Sequence, residues 1–253
     1  MNQNIKPATL KIFTLAAALL GYLLRYLLYA TAIDQKGLII SGHWVTWGLT
    51  GLTLLFLAGM ILLTRNPKTG MTYEESFPSS FWRGYGAIML GSAILIRTFY
   101  KMHPTDGLDK LVLLFGALSG VSLLIVGICR FLGRKPHFLF HSALSIYFAL
   151  RTVGLYRTWS SDPQLMDYVF YLLAFICLML CAYYQAQFHV NAKSHRPLWI
   201  TAMAATYLSI VAIPESGTGV FLLGCALWAF TCTPQMNPRP RRQHPAMQAN
   251  EEP

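Results

Sequence analysis

Hydrophobic and polar residues are segregated along this chain into long blocks. Apolar runs of roughly 17 to 26 residues recur from one end to the other, with short polar gaps between them. A helix rises 1.5 Å per residue, so runs of this length match the ~30 Å hydrocarbon core of a bilayer. The pattern predicts an all-α, polytopic integral membrane bundle of about eight transmembrane helices in four sequential hairpins. The predicted spans are 9–31, 39–64, 81–102, 109–132, 137–159, 164–188, 197–213 and 217–233.

The composition supports this fold class and divides the chain into two regions. Of 253 residues, 55% are hydrophobic and 12% are charged, about half the charged share of a soluble domain. The run 111–126 does not alternate as the strands of a membrane β-barrel would. Residues 1–233 are therefore predicted to form one transmembrane helical domain. Residues 234–253, rich in proline and polar groups, are predicted to form a disordered basic cytoplasmic tail.

The net charge of +10 is explained by membrane topology. With the N-terminus placed inside, 13 of the 20 lysines and arginines fall on the inner side and four on the outer side. This bias predicts a multi-pass cell-membrane protein with both termini cytoplasmic and with membrane lipids, not nucleic acid, as its partner. The alternative is a cleaved signal peptide ending at Ala30–Ala32, which would leave seven spans. Arg25 and the tyrosines before that site argue against cleavage.

Three arginines lie at matched depths inside predicted spans. Arg25, Arg97 and Arg151 each follow, by 14 residues, a basic residue or histidine near the start of the run. Fourteen helical residues rise about 21 Å, which leaves each arginine ~9 Å short of the far side of the hydrocarbon core. Such arginines need a partner or an aqueous cavity. Alternatively, their long side chains reach the headgroups from within the span.

The spacing of charges indicates a repeat of the hairpin unit. Arg25 precedes Asp34 by nine residues, and Arg97 precedes Asp106 by nine. The hairpins are therefore interpreted as degenerate repeats in the same orientation, with chance similarity as the alternative.

Small residues on the spans predict close helix contacts within one chain. They are Gly48 and Gly51 on the second span, Gly116 and Gly120 on the fourth, and Gly217, Gly219 and Gly224 on the eighth.

Polar residues at the level of the arginines extend the candidate site. Tyr22 shares a helical face with Arg25, His43 enters the second span at the same level, and Asp167 begins a polar face of the sixth. The fork of an arginine suits a carboxylate or a phosphate. The predicted ligand-binding residues are Arg25, Arg97, Arg151, Arg157, Asp167, Tyr22 and His43.

The stretch from Arg151 to Pro163 is the most polar segment between two spans. Its letters RTWSSDP, with the acidic and aromatic helix that follows, resemble uncharacterised multi-spanning bacterial membrane proteins. The resemblance implies a helical membrane fold and no particular activity. Locally, Asp162 and Pro163 suit the start of a helix, and Trp159 could provide an aromatic wall beside the arginines.

Signals for a metal, a cofactor or a catalytic centre are weak. The histidines at 137, 141, 189 and 195 have a spacing compatible with a metal or haem, but no cysteine or carboxylate ligand is evident nearby. The five cysteines include no CxxC pair. Ser119 with Gly120 lacks a histidine base at mid-depth, and no phosphate loop or HExxH motif occurs. No metal and no cofactor is predicted, the catalytic residues are unknown, and a non-enzymatic role is favoured.

Three functions follow from these observations. The first is a transporter or sensor that binds an anionic small molecule or lipid headgroup in its outer half. The second is a membrane-bound enzyme that acts on a lipid-linked substrate, with Asp167 or His43 as acid or base. The third is a structural subunit whose arginines pair with the acids of a protein partner.

The charge bias makes a prediction about sidedness. Single cysteines introduced at Lys36 and Glu215 should react with an impermeant thiol reagent added outside intact cells, whereas cysteines at Lys68 and Lys193 should react only after permeabilisation. Labelling of the parent protein, whose own cysteines lie in predicted spans, gives the background. The reversed pattern would contradict the proposed orientation.

Overall fold

The computed structural model describes residues 7–32, 40, 42–64, 73–100, 106–160, 165–190, 195–215 and 219–234. The described part of the chain is helical, without strands. Its eight long helices are α1 (Pro7–Thr31), α2 (Trp44–Leu63), α4 (Phe81–Tyr100), α5 (Gly107–Phe131), α6 (Phe138–Trp159), α7 (Leu165–His189), α8 (His195–Val211) and α9 (Gly219–Thr231). A single-turn helix, α3 (Tyr73–Ser76), precedes α4, and a 3-10 turn (Ile213–Glu215) follows α8.

Six of the helices form a closed ring. Consecutive helices from α4 to α9 pack against one another, and α9 packs back against α4. Helices α1 and α2 pack against each other and against α8, outside this ring. The four predicted hairpins are therefore present. We call the end of the bundle at which α1 begins and α9 ends the basal end, and the opposite end the distal end.

Helix α8 is the centre of the packing. It contacts α1, α2, α7 and α9, and its side chains are buried along almost the whole helix. Alanines such as Ala202 and Ala205 let the neighbouring helices approach, while Trp199 and Tyr207 fill the remaining volume. Tyr207 shares a hydrogen bond of 2.9 Å with Thr53 of α2 and stacks on Phe56, which attaches the outer pair of helices to the ring.

Helices α4 and α5 pack with their backbones in contact. A Cβ atom built at Gly91 would lie 2.9 Å from the carbonyl oxygen of Gly120, and one at Gly120 would lie 3.2 Å from that of Gly91. One turn further toward the distal end, a Cβ atom at Gly116 would lie 2.6 Å from the side-chain oxygen of Thr98. Only glycine permits this approach, so the predicted contacts at Gly116 and Gly120 are confirmed.

The predicted contacts at Gly48 and Gly51 are wrong. A Cβ atom at either position would meet nothing within 4 Å. Helix α2 packs mainly through another face, which carries Val45, Leu49 and Phe56. On the eighth span, Gly219 makes only an ordinary van der Waals contact with Ile213, and Gly224 makes one with α4. Gly217 lies outside the described residues.

Within the described ranges, five helices are long and apolar enough to cross a membrane, namely α1, α2, α5, α6 and α7. The remaining three differ for identifiable reasons. Helix α4 carries Arg83 and Arg97, which lower its hydropathy. Helices α8 and α9 have 17 and 13 residues, corresponding to about 26 Å and about 20 Å, and both are largely buried by the other helices. The chain is thus a helical membrane bundle, as predicted.

Several predicted boundaries shift, and the predicted tail is not tested. The second span begins at Trp44, not at 39, because the His43 side chain caps α2 by accepting from the Val45 amide at 3.4 Å. The eighth begins at Gly219 and ends at Thr231. Apart from Pro234, the tail 234–253 lies outside the described residues.

Replacing Gly91 with alanine should destabilise the bundle. Alanine is the better helix former by about 1 kcal/mol, but its methyl group would be pressed against the Gly120 carbonyl. Overpacking of this kind costs about 1–3 kcal/mol, so the thermal unfolding midpoint of the purified protein should fall. Gly51→Ala, which faces open space, is the matched control and should leave the midpoint unchanged or raise it. Equal effects of the two substitutions would contradict the α4–α5 contact.

Candidate functional site

Arg25 points into the protein and not toward lipid. Its side chain is 2% exposed. The guanidinium donates a hydrogen bond of 3.3 Å to the Tyr29 hydroxyl and lies 4.9 Å from the ring centroid of Phe170 on α7. A guanidinium over an aromatic face is stabilised by the ring quadrupole, most strongly where water is excluded. The alternative in which Arg25 extends to the headgroups is therefore wrong.

Arg97 of α4 and Arg151 of α6 lie within electrostatic range of each other. Tyr147, 2% exposed, interacts with both arginines, and Tyr171 of α7 lies beside Arg151. We call these four residues the distal arginine pair with its tyrosines. Two like charges are thus held together in the distal half of the bundle.

A continuous series of aromatic rings forms one side of this site. Trp159 stands edge-on to Tyr171 with a centroid separation of 5.6 Å, and Tyr171 packs on Phe175 at 4.8 Å. Phe175 stacks on Phe221 of α9 at 5.9 Å, and the Arg97 guanidinium lies 5.0 Å from the Phe221 centroid. The aromatic wall expected at Trp159 thus reaches the arginine pair through rings from α7 and α9.

Glycine at position 116 makes room for the tyrosine of the site. A Cβ atom there would lie 3.2 Å from Cε2 of Tyr147 and 2.6 Å from Oγ1 of Thr98, the neighbour of Arg97. The close α4–α5 packing described above thus continues to the site and sets the distance between Arg97 and the Tyr147 ring. A larger residue at Gly116 would displace one of them.

The arginine pair has donors and charge that the surrounding residues do not match. Nη1 of Arg97 and Nε of Arg151 are buried and have no hydrogen-bond partner within the described ranges. No carboxylate of the described residues forms an ion pair with either side chain. Aromatic rings attract a guanidinium but do not neutralise it, and unpaired charge at this depth is costly. The arrangement can therefore accept an anion with two or more oxygen atoms.

Three of the other predicted site residues, Arg157, His43 and Tyr22, lie away from this pair. Arg157 is exposed and forms an ion pair of 3.3 Å with Asp106, whose side chain is also more than half exposed. His43 caps α2, as described above, and Tyr22 is half-buried on α1. The backbone of Asp167 belongs to α7, but its side chain lies outside the described residues. Asp106 thus pairs with an arginine of the next hairpin and not with Arg97 of its own.

A second group of buried cations lies at the basal end. Arg130 is 7% exposed and donates to the Phe77 carbonyl at 3.0 Å and to the Tyr73 hydroxyl. Its guanidinium lies 5.0 Å and 5.4 Å from the centroids of the same two rings. The sequence places Arg130 among the cations of the inner side, and the structure buries it in the last turn of α5, beneath the single-turn helix α3.

Arg83 connects three segments at the same end. It donates to the carbonyls of Pro78, Thr231 and Thr233 at 2.8, 3.2 and 3.0 Å, and its guanidinium lies 5.5 Å from the centroid of Phe77. The two threonine carbonyls belong to the end of α9 and the residues after it. Arg83 therefore donates to carbonyl oxygens at the C-terminal end of α9 that have no donor within the helix, a role that the sequence did not indicate.

The histidines do not form the metal or haem arrangement that their spacing allowed. His141 and His189 approach with ring centroids 5.5 Å apart, but His137 contacts Phe138 and His195 contacts Phe188. Within the described residues, no three side chains of the types His, Cys, Asp and Glu converge as a metal site would require.

The residues that sequence reasoning missed share one property. Phe221, Tyr73 and Phe77 carry no charge and contact an arginine from a distant segment. A charge or spacing pattern along one helix does not reveal them. The weak signal that existed was the density of aromatic residues, 13% of the chain.

Comparison with known proteins gives no relative for this chain. No protein-family model matches it, and no curated protein and no solved structure does so.

Replacing Arg83 with lysine should loosen the junction of α4 and α9. The single ammonium of lysine cannot bridge three carbonyls that the planar fork reaches together. Loss of two hydrogen bonds from a charged donor predicts a decrease of about 3–6 kcal/mol in the free energy of unfolding, measured by denaturant or thermal unfolding in detergent. Arg134→Lys, at an exposed position of the same end, is the control and should be neutral. A neutral Arg83→Lys would show that these carbonyls do not depend on the guanidinium.

Proposed function

We propose that this integral membrane protein binds an anionic small molecule or lipid headgroup between Arg97 and Arg151, and that it acts as a transporter or a sensor of that anion. The single observation that carries the proposal is the pairing of two guanidiniums in the distal half of the bundle with buried donors that no described residue satisfies. The apolar surface of the helices supports the membrane location.

The chemistry of the site favours an oxyanion over a neutral ligand. Two adjacent guanidiniums repel each other, and the repulsion is stronger where water is excluded. An anion between them removes the repulsion and satisfies the Arg97 Nη1 and Arg151 Nε donors at once. The Tyr147 and Tyr171 hydroxyls add donors or acceptors beside the anion.

The aromatic wall favours a ligand with an apolar portion next to its charge. The series from Trp159 to Phe221 presents ring surface adjacent to Arg97. A carboxylate or phosphate attached to a hydrocarbon or an aromatic group would place its charge at the arginines and its apolar part against these rings. Amphiphilic anions and lipid headgroups meet this description.

The position of the site within the ring favours a transporter or a sensor. The anion would contact α4, α6, α7 and α9 together, that is, helices on different sides of the ring. Some of these helices, such as α4 and α6, do not pack directly against each other. Binding would therefore favour one arrangement of these helices over others. Such coupling is what both a transport cycle and a signalling change require.

The test compares two arginines of one helix. The full-length protein and its Arg151→Lys and Arg157→Lys variants are purified in mild detergent, and the anions that they retain are counted by native mass spectrometry and identified after extraction. Lysine lacks the two-donor fork, so Arg151→Lys should reduce retention about tenfold or more. Arg157→Lys, exposed and paired with Asp106, should retain the anion like the parent protein. Expression and thermal midpoint of both variants should stay near those of the parent.

Two results would contradict the proposal. The first is a parent protein that carries no anion and gains none when it is transferred to nanodiscs containing anionic lipid. The second is equal retention by the two variants. A protein subunit that co-purifies through acidic residues on Arg151, in place of an anion, would support the structural-subunit alternative instead.

A further inference from the structure

A second set of unsatisfied buried polar atoms lies at the basal end of the bundle. Nδ1 and Nε2 of His141, Oε1 of Gln185 and Nε2 of His189 are buried without a hydrogen-bond partner among the described residues. The His141 side chain is 1% exposed and that of Gln185 is 2% exposed. Native interiors rarely leave such atoms unpaired, so a group that satisfies several of them at once is expected here.

The contacts of α6 and α7 place these atoms close together. The rings of His141 and His189 are 5.5 Å apart. The antiparallel register is set by the bond of 3.1 Å from the Ser145 hydroxyl to the Met179 carbonyl, and it places Gln185 within about 3 Å of the height of His141. Gln185 also precedes His189 by one helical turn. The two histidines and the amide therefore form one polar group, which we call the basal histidine cluster.

Tyr73 covers this cluster from the side of α3. Its ring packs on that of His189 at 4.0 Å, and its hydroxyl accepts a hydrogen bond from Arg130. Because the oxygen is the acceptor in that bond, its own hydrogen is available to a further partner. Burial raises the pKa of Tyr73 to about 12, so the phenol is neutral at physiological pH and supplies no negative charge.

Positive charge surrounds the cluster. Arg130 lies within electrostatic range of both histidines, and Lys135 within range of His189. The Lys135 ammonium also lies 5.4 Å from the Tyr73 centroid. Neither cation forms an ion pair with a carboxylate in the portion of the chain that is described. Water could satisfy the orphaned atoms but would leave this charge uncompensated, and a metal cation would add to it.

We propose that the basal histidine cluster binds a phosphate group that carries one P–OH, either as inorganic phosphate or as the phosphomonoester headgroup of an anionic lipid. The phosphate oxygens accept from Tyr73, His141 and His189, and Arg130 and Lys135 balance the charge. The P–OH donates to Oε1 of Gln185, which would repel a fully deprotonated oxygen. This site is separate from the distal arginine pair, since its residues lie near the opposite ends of α6 and α7.

The chemistry of the orphaned atoms distinguishes the ligands. Sulfate resembles phosphate in shape and charge but has no hydrogen to donate at neutral pH. Phosphatidylglycerol is a phosphodiester and also lacks a P–OH, whereas phosphatidic acid has one. Phosphate should therefore bind more tightly than sulfate, and phosphatidic acid more tightly than phosphatidylglycerol, about tenfold in each case because one hydrogen bond to a charged group is lost.

The experiment uses the full chain in phosphatidylcholine nanodiscs. Inorganic phosphate and sulfate are titrated by calorimetry, and nanodiscs with added phosphatidic acid or phosphatidylglycerol are examined by native mass spectrometry for retained lipid. Binding of free phosphate without retention of lipid identifies a soluble ligand, and the reverse result identifies a headgroup. Either result supports the proposal.

Two substitutions at neighbouring positions provide the matched comparison. Lys135→Gln and Arg134→Gln each remove one positive charge from an exposed position of the same loop, but only Lys135 contacts Tyr73. Lys135→Gln should weaken phosphate or phosphatidic acid binding about tenfold, and Arg134→Gln should change it less than twofold. Tyr73→Phe keeps the ring and removes the hydroxyl, and it should weaken binding about tenfold with the fold retained.

The proposal is overturned if the parent protein binds neither probe, which would leave ordered water only, or if sulfate binds as well as phosphate. Equal effects of Lys135→Gln and Arg134→Gln would also overturn it. Arg151→Lys should not alter phosphate binding at the basal end. If Arg151→Lys lost the phosphate at the basal end, the two sites would not be independent, and the proposal would be contradicted. If it lost only the distal anion, the result would support the proposed function and leave the basal site intact.

Discussion

The structure depends on how positive charge is accommodated where water is scarce. A guanidinium in the interior of a membrane bundle requires acceptors for its donors and a partner for its charge. At Arg83 and Arg130 main-chain carbonyl oxygens accept the hydrogen bonds, and ring quadrupoles attract the charge without neutralising it. Phe77 serves both arginines, which explains why the segment before α4 folds back against the bundle. At Arg97 the described contacts are with aromatic rings and a tyrosine, and one buried N–H donor has no acceptor among the described residues. This guanidinium can therefore still bind an anion.

Helix packing determines which of these cations can meet. The backbone contact of Gly91 with Gly120 holds α4 against α5, and the contact of α4 with α9 closes the ring. Arg97 therefore faces the interior, where Arg151 arrives from α6. The outer pair α1 and α2 lies against α8, and Arg25 takes an aromatic partner, Phe170, from α7. Depth along a helix therefore does not determine which helices surround an arginine.

The fold class and the existence of the helices could be predicted from hydropathy because burial in lipid requires long apolar segments with internally satisfied backbones. The sequence predicted that Arg97 and Arg151 lie at similar depth. It could not predict which residues each arginine contacts, because those contacts depend on helix rotation and on residues far apart in sequence. Arg157 illustrates this point, because its polar segment marked it as a site residue and it instead pairs with Asp106 at the surface. The glycines divide in the same way, with Gly120 at a backbone contact and Gly51 facing open space.

The bonds of Arg83 have a consequence for the assembly of the protein in the membrane. Its acceptors on Thr231 and Thr233 are 148 and 150 residues further along the chain. During synthesis from the N-terminus, α4 must therefore be accommodated before the carbonyls that stabilise its arginine exist. Helix α4 is also one of those not apolar enough to cross alone. Its stable insertion has to await a later helix, so the early hairpins are expected to persist near the insertion machinery until α9 emerges, and a ribosome stalled before α9 would leave α4 exposed to membrane quality control.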